Sequence, residues 1–291
     1  MSKIHYTELF YTVQGEGQWT GVPSLFLRTF GCNFRCTDFG CKQPVPGKVN
    51  PEVAVVIKNI DKYKTFDDLP LVQTGCDSYP SVYPEFKRFA IKSTIDELVE
   101  RMRKLLPNGT WTQPNGQDIH LVITGGEPLL GWQRSYVELL EHEGMKDLKN
   151  LTFETNATQT LHKDFAEYLQ KQTRIHITWS CSPKLTVSGE SWEDAIRPAI
   201  VKSYLDLVCG GGSSLYLKFV VATGADVCDV DRAVAEYQMA DVMCPVYLMP
   251  VGGTIESYSL TNNDVALLAM KQGWRYSPRL QIDLFGNQWS T

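Results

Sequence analysis

From residue 93 onward the chain alternates between two hydrophobic rhythms. "STIDELVERMRKLL" sets Ile95, Leu98, Val99, Met102 and Leu105 on one helical face, and Ser93 with Asp96 forms a capping-box-like start. The β-rich run "IHLVIT" (119–124) follows, then a Gly-Gly turn and the helical "WQRSYVELLEHEG". The alternation recurs in "LTFET" (151–155) with "HKDFAEYLQK", and in "RIHITWS" with "WEDAIRPAIVKSYLD". It continues in "LYLKFVV" with "DVDRAVAEYQM" and in "PVYLMP" with "NNDVALLAMKQ". With "PSLFLRTFG" as the first strand, six strand–helix units result. Apolar strands separated by helices predict an α/β fold with a parallel sheet covered by helices, most simply an incomplete (β/α)6 TIM-like barrel.

Residues 42–92 break this rhythm with six prolines, the mixed run "VAVVIKNIDKYKTFDDLP" and the aromatic "SYPSVYPEFKRF". The stretch reads as a segment inserted between the first strand's loop and the first clear helix. No linker or internal repeat divides the chain, so one domain over 1–291 is expected. A composition of 43% hydrophobic and 21% charged residues is that of a globular protein, and 291 residues suffice for a substantial core. The net charge of −5 speaks against nucleic acid as the main partner. No apolar run has the length of a membrane span, and "MSKIHYTELF" lacks a signal-peptide pattern. The expected compartment is the cytoplasm, where eight cysteines stay reduced.

That expectation changes the meaning of "GCNFRCTDFGC" (31–41). Cys32 and Cys36, on a loop leaving the carboxyl end of a strand, supply two soft thiols where α/β proteins build ligand sites. An iron–sulfur cluster, a zinc ion and inert buried cysteines are the readings open at this point. "ITGGEP" (123–128) adds Gly125 and Gly126, which allow close backbone approach, and Glu127, a carboxylate able to accept from an ammonium group. His5, His120, His142, His162 and His176 show no ligand spacing and read as structural.

Taken in order, these stretches resemble one family. "ELFYTVQGEGQWTGVPSLFLRTFGCNFRC" (8–36) is similar to the opening of the 7-carboxy-7-deazaguanine synthases, radical S-adenosylmethionine (SAM) lyases of 7-deazaguanine and queuosine biosynthesis. "TGGEPLL" (124–130), "FETNAT" (153–158) and "CSPKL" (181–185) continue the match. "LKFVV" (217–221) and "GWRYSPRLQIDLFG" (273–286) fit more loosely. The resemblance runs nearly end to end except for 42–92, which marks a divergent form with a long insertion in the cluster loop.

The resemblance implies a radical SAM barrel with a 4Fe-4S cluster on three cysteines, S-adenosyl-L-methionine, and Mg2+. The family leaves two residues between its second and third cysteines and follows the third with Asp-Thr. Cys41 arrives two residues late and precedes Lys42 and Gln43, whereas Cys76 precedes Asp77 and Ser78. A long excursion costs little more loop-closure entropy than a short one, and Ser78 keeps a hard oxygen for Mg2+. The favoured ligands are therefore Cys32, Cys36 and Cys76, with Cys41 the alternative third; Cys181, Cys209, Cys228 and Cys244 are expected only to pack. Gly125, Gly126, Glu127, Asn156, Ser182 and Lys184 belong to the SAM side.

The implied reaction converts 6-carboxy-5,6,7,8-tetrahydropterin to 7-carboxy-7-deazaguanine with loss of ammonia, through a 5′-deoxyadenosyl radical. Arg28 suits the substrate carboxylate, and Gln14, Glu16 and Gln281 suit its aminopyrimidinone edge. Plainer alternatives are a salt bridge for Arg28, a solvated turn for Gln14 and Glu16, and an ordinary exposed lysine for Lys184. Where the family tends to carry Gln-Thr-His-Lys, this chain reads Gln281, Ile282, Asp283, Leu284, leaving the contacts there open. A flavodoxin- or ferredoxin-type electron donor and a homodimer are the implied partners. Rival readings are another radical SAM enzyme, such as a glycyl-radical activase, and a non-catalytic zinc or interaction module.

Overall fold

The structure is a computed structural model that describes residues 2–41, 49–207, 213–259 and 261–291. Lys42, Gln43 and Cys209 lie outside the described residues. The elements run β1 (Lys3–Val13), β2 (Pro23–Thr29), α1 (Pro51–Lys58), β3 (Ile91–Thr94), α2 (Ile95–Leu105), β4 (His120–Gly125) and α3 (Gln133–Glu141). They continue with β5 (Asn150–Thr155), α4 (Lys163–Lys171), β6 (His176–Cys181), α5 (Trp192–Ala195), α6 (Pro198–Asp206) and β7 (Ser213–Val221). The last are α7 (Asp226–Met239), β8 (Val246–Pro250), α8 (Ile255–Ser259), α9 (Asn262–Gln272), β9 (Arg275–Tyr276) and α10 (Leu280–Phe285).

All nine strands form one sheet in the order β3-β1-β2-β4-β5-β6-β7-β8-β9. From β2 to β9 the pairings are parallel, and β1 runs antiparallel to both β2 and β3. The six strands expected from the sequence are β2 and β4 to β8. The sequence reading did not assign β1, whose mix of charged, aromatic and Thr residues has no clean apolar run.

Side chains alternate strictly across the sheet because the strand period is two. Leu121 and Ile123, Leu151 and Phe153, Ile177 and Trp179, Leu215, Leu217 and Phe219, and Val246 and Leu248 all join the main core under the helices. Their alternating neighbours are often polar: Thr124, Glu154, Ser180 and Lys218 point into a cavity on the other face. In β1 the alternation changes phase. Tyr6 pairs with Thr29 but Glu8 pairs with Arg28, a β-bulge at Thr7. Ile4 and Tyr6 therefore face the helices, while Glu8, Phe10 and Thr12 face the cavity.

Two details of the helices differ from expectation. The capping box of α2 sits on Thr94 and Glu97, because Ser93 is still a buried strand residue bonded to Tyr6 Oη at 3.2 Å. Leu105 is 40% exposed, and Leu106 takes the core position instead. Pro107 forces Leu106 out of helical geometry and so redirects its side chain. The helix expected over 192–206 is two, α5 and α6, since Pro198 cannot donate within a helix and begins a new one.

Within the segment expected as an insertion, Val53, Val56, Leu69, Val72, Tyr79, Val82, Tyr83 and Phe86 build a small core of their own. Trp289 joins it, with its indole N–H donating to Leu69 O at 2.6 Å. Among the described residues no helix is long and apolar enough to cross a membrane.

Phe153 is fully buried and stacks on Trp179 at 5.1 Å, with Tyr136 and Phe165 on its flanks. Phe153→Ala leaves a cavity at the sheet–helix boundary and is expected to lower unfolding free energy by about 3–5 kcal/mol in urea titration.

Candidate active site

The loop after β2 and the end of β4 are built around each other. Gly126 N–H donates to Thr29 O at 3.2 Å, Glu127 N–H to Gly31 O at 2.7 Å, and Gly31 N–H to Ser81 O at 2.8 Å. A Cβ on Gly125 or Gly126 would strike the backbone of Thr29 or Gly31, and Gly125 has φ +143°. The close approach that these glycines permit is thus first to the cysteine loop, although both also line the cavity. Cys32, Cys36 and Cys76 line that cavity together. Burial raises the Cys32 and Cys76 thiols to about 12 and Cys36 well above its ordinary value, and each is raised further by neighbouring negative groups.

Cys41 does not line the cavity. Its thiol donates to Thr37 O at 3.4 Å and accepts from Asn50 Nδ2 at 3.3 Å. Asn50 is itself committed as the cap of α1, accepting from Glu52 and Val53 N–H. Cys181 is buried in the core, Cys244 packs against it, and Cys228 is exposed, so the expectation of packing does not hold for Cys228. Among the described residues, no three His, Cys, Asp or Glu side chains are placed to hold one metal ion. The donor set of three soft thiols from two segments fits a thiolate-bound cluster.

Glu127 is fully buried and is not among the cavity-lining residues. It accepts from Leu129 N–H at 3.0 Å, Thr155 Oγ1–H at 2.8 Å and Asn156 N–H at 2.7 Å. Burial pushes its carboxyl up to about 7 against the pull of these donors. The structure gives it the task of holding the start of the β5 loop rather than direct contact with an ammonium group. Asn156 does line the cavity and donates to Asn33 Oδ1 at 2.9 Å. Ser182 and Lys184 line it too, joined by a 3.2 Å bond from Lys184 Nζ to Ser182 Oγ.

The remaining expected residues also line the cavity, and they arrive already paired. Arg28 Nε donates to Glu8 Oε2 at 2.6 Å, and its Nη1 donates to Ser78 Oγ at 2.9 Å. Gln14, 3% exposed, donates from Nε2 to Glu154 Oε1 at 3.1 Å and accepts from Glu16 N–H, which excludes a solvated turn. Glu16 receives Lys218 Nζ at 2.5 Å, Gln281 Nε2 at 2.9 Å and Arg279 Nε at 3.4 Å. Burial alone would raise the Glu16 carboxyl, but the charges of Lys218 and Arg279 outweigh it and hold the group at about 2. Arg279 also bonds Gly252 O and Asp77. Burial would likewise raise Asp77, yet Arg279 holds it below its ordinary value. Gln281 Oε1 is buried against Gly15 without a hydrogen-bond partner among the described residues.

No family model matches the chain. Curated relatives do, along nearly their whole length. The 7-carboxy-7-deazaguanine synthase of Halobacterium salinarum is 28% identical over 292 residues, covering 96% of this chain and 90% of that one. Its namesake from Rhodopirellula baltica is 26% identical, covering 100% and 90%. That of Pyrobaculum aerophilum is 24% identical, covering 98% and 96%. The chain is a full-length relative of the 7-carboxy-7-deazaguanine synthases. Among solved structures, the crystal structure of QueE from Escherichia coli matches with TM-score 0.50 and 18% identity, covering 94% of this chain and 93% of that one, which supports the fold.

Where the synthase family tends to carry a His-Lys pair, Asp283 and Leu284 of this chain are exposed and Ile282 is buried. The local cation comes from Arg279, four residues before Asp283, and from Lys218, which shares the Glu16 carboxylate with it. Sequence reasoning missed both as site residues, along with Glu8 and Glu154, and used Asp77 only to mark Cys76. A usable signal existed for two of them: Glu154 and Lys218 are charges inside runs read as strands, where a buried charge has to be paired. His120 bonds Thr152 Oγ1 at 2.8 Å, and His5 stacks on Trp132.

The Glu16 carboxyl lies below its ordinary 4.5 in the folded chain. The stability it contributes is therefore fully present above pH 4.5 and is lost as pH falls toward 2. Glu16→Gln is expected to cost about 3 kcal/mol at pH 7, since buried Lys218 loses its ion-pair partner and Arg279 keeps only Asp77. It should also lose less stability than the parent below pH 4.5, read by urea unfolding across pH.

Proposed function

We propose that this chain is a radical SAM lyase converting 6-carboxy-5,6,7,8-tetrahydropterin to 7-carboxy-7-deazaguanine with release of ammonia. The observation that carries this reading is one cavity holding three thiols at one end and a paired set of carboxylates, cations and amides along its wall. The full-length kinship with synthases of that name supports it. Cys32, Cys36 and Cys76 would hold a 4Fe-4S cluster. Asn156, Ser182 and Lys184, with the backbone at Gly125 and Gly126, would hold S-adenosyl-L-methionine. When bound, the cluster and S-adenosyl-L-methionine would supply one-electron radical chemistry.

The chain's own residues bind, orient and exclude water. All three thiols sit buried with raised proton affinity, so loading the site releases protons and is favoured by higher pH. Arg28, fixed by Glu8 and Ser78, presents its guanidinium plane to the substrate carboxylate. Ser78, beside Asp77, would offer its hydroxyl oxygen to Mg2+ in exchange for its present bond from Arg28. Gln14, Glu16 and Gln281 read the aminopyrimidinone edge, and Glu154, already oriented by Gln14 and Thr124, adds acceptors.

The reading extends to architecture and partners. β2 and β4 to β8 form an incomplete (β/α)6 barrel, supported by inward residues from all six strands lining one cavity. The whole chain is one domain. Residues 42–92 are an excursion of the cluster loop, supported by the bond from Gly75 N–H to Phe39 O at 2.7 Å, which returns Cys76 to the loop. A flavodoxin- or ferredoxin-type protein delivers the electron in the cytoplasm. Two copies pair, for which the exposed Met239, Met243, Leu267 and Met270 offer apolar surface.

Anaerobically reconstituted protein with reductant, S-adenosyl-L-methionine and Mg2+ is expected to convert 6-carboxytetrahydropterin. Mass spectrometry finding no ammonia-loss product would remove this substrate. Cys76→Ala is expected to abolish cluster assembly, read as iron content and visible absorbance, and Cys41→Ala to leave it at the parent level.

A further inference from the structure

Glu190, on the loop after β6, has no part in the site as described, yet it reaches the cysteine loop. Its Oε1 accepts from two successive backbone groups, Arg35 N–H at 2.7 Å and Cys36 N–H at 2.6 Å. Cys36 has φ +47°, a left-handed conformation uncommon for residues with a side chain. Consecutive N–H groups around a left-handed residue form a concavity that binds anions. Here the anion is a carboxylate of the chain itself.

Glu190 is anchored in turn. Its N–H donates to Ser188 Oγ at 3.2 Å, and Ser188 Oγ–H donates to Leu185 O at 2.6 Å. Ser188 O accepts from Asp38 N–H at 3.2 Å. Gly189, with φ +84°, lies so close to Asp38 that an added Cβ would come within 2.6 Å of its carboxyl carbon. The loop just beyond Lys184 is thus tied to the thiol loop at both Asp38 and Cys36. No regular secondary structure holds residues 31–36, and a strained backbone persists only where its surroundings over-determine it.

We infer that Glu190 is a positioning residue for the cysteine loop. Its carboxylate holds Cys36 in the left-handed conformation that brings the thiol to the cavity, and its charge lowers the reduction potential of the group bound there. The second half rests on the cluster reading; the first does not.

Full-length E190Q and E190A separate the two. E190Q keeps one acceptor oxygen without the charge, so it should bind iron and sulfide at the parent level with a more positive midpoint potential. E190A should hold several-fold less iron and sulfide. In its cluster-free form it should exchange the Arg35 and Cys36 amide hydrogens at least tenfold faster. Unchanged exchange in E190A, or a midpoint in E190Q at or below the parent value, would overturn the inference. Should E190A not fold, the E190Q midpoint decides. A parent protein that takes up no iron or sulfide would defeat the cluster reading and the potential with it, while the exchange rates would still judge the clamp.

Discussion

A guanidinium from the end of the chain holds three distant segments in one place. Arg279 reaches Glu16 in the turn after β1, Asp77 just beyond Cys76, and the carbonyl of Gly252 after β8. Lys218 completes the neutralisation of Glu16 from β7. Such buried networks contribute little net stability, because desolvation offsets most of the Coulomb attraction. What they impose is arrangement, since any displaced partner leaves a charge without counter-charge in a poorly solvated space. The turn with Gln14 and Glu16, the segment with Cys76 to Ser78 and the C-terminal residues thereby share one frame.

The sheet makes this network possible by dividing labour between its faces. Helices cover one face with a continuous apolar core, and the other face is free to carry charge. The bulge at Thr7 extends that division to β1, putting Glu8 beside Arg28 instead of among the helices. A regular strand that kept Ile4 and Tyr6 under the helices would have buried the Glu8 carboxylate with them. One extra residue thus serves the site more than the sheet.

The cysteine loop is governed by a different logic. Its thiols come from two distant chain segments that pack on shared small clusters, and its backbone is supported by neighbours on three sides: Ser81, Gly126 with Glu127, and Glu190. Gly125 and Gly126 have no side chains because two backbones meet there. Glu127, turned away from the cavity, secures the adjoining Thr155 and Asn156. Residues that read as ligand contacts in the sequence can thus serve by setting the positions of others.

Local rules settled much of this protein before any folding was considered. Short apolar runs marked β2 and β4 to β8, helical spacing marked the helices between them, and Pro-rich composition marked the unusual stretch before α2. The ordered motifs named the chemistry because spacing along a chain survives without coordinates. Tertiary structure alone decided the bulge in β1, the turn of Glu127 away from the cavity, and the assembly of Arg279, Lys218, Asp77 and Glu154 with Glu16 and Gln14. It also decided that Cys76, and not the nearer Cys41, shares a cavity with Cys32 and Cys36. The physical reason is that these outcomes depend on pairing between residues far apart in sequence, where the cost of a buried charge or an unmet donor is set by what the fold brings beside it.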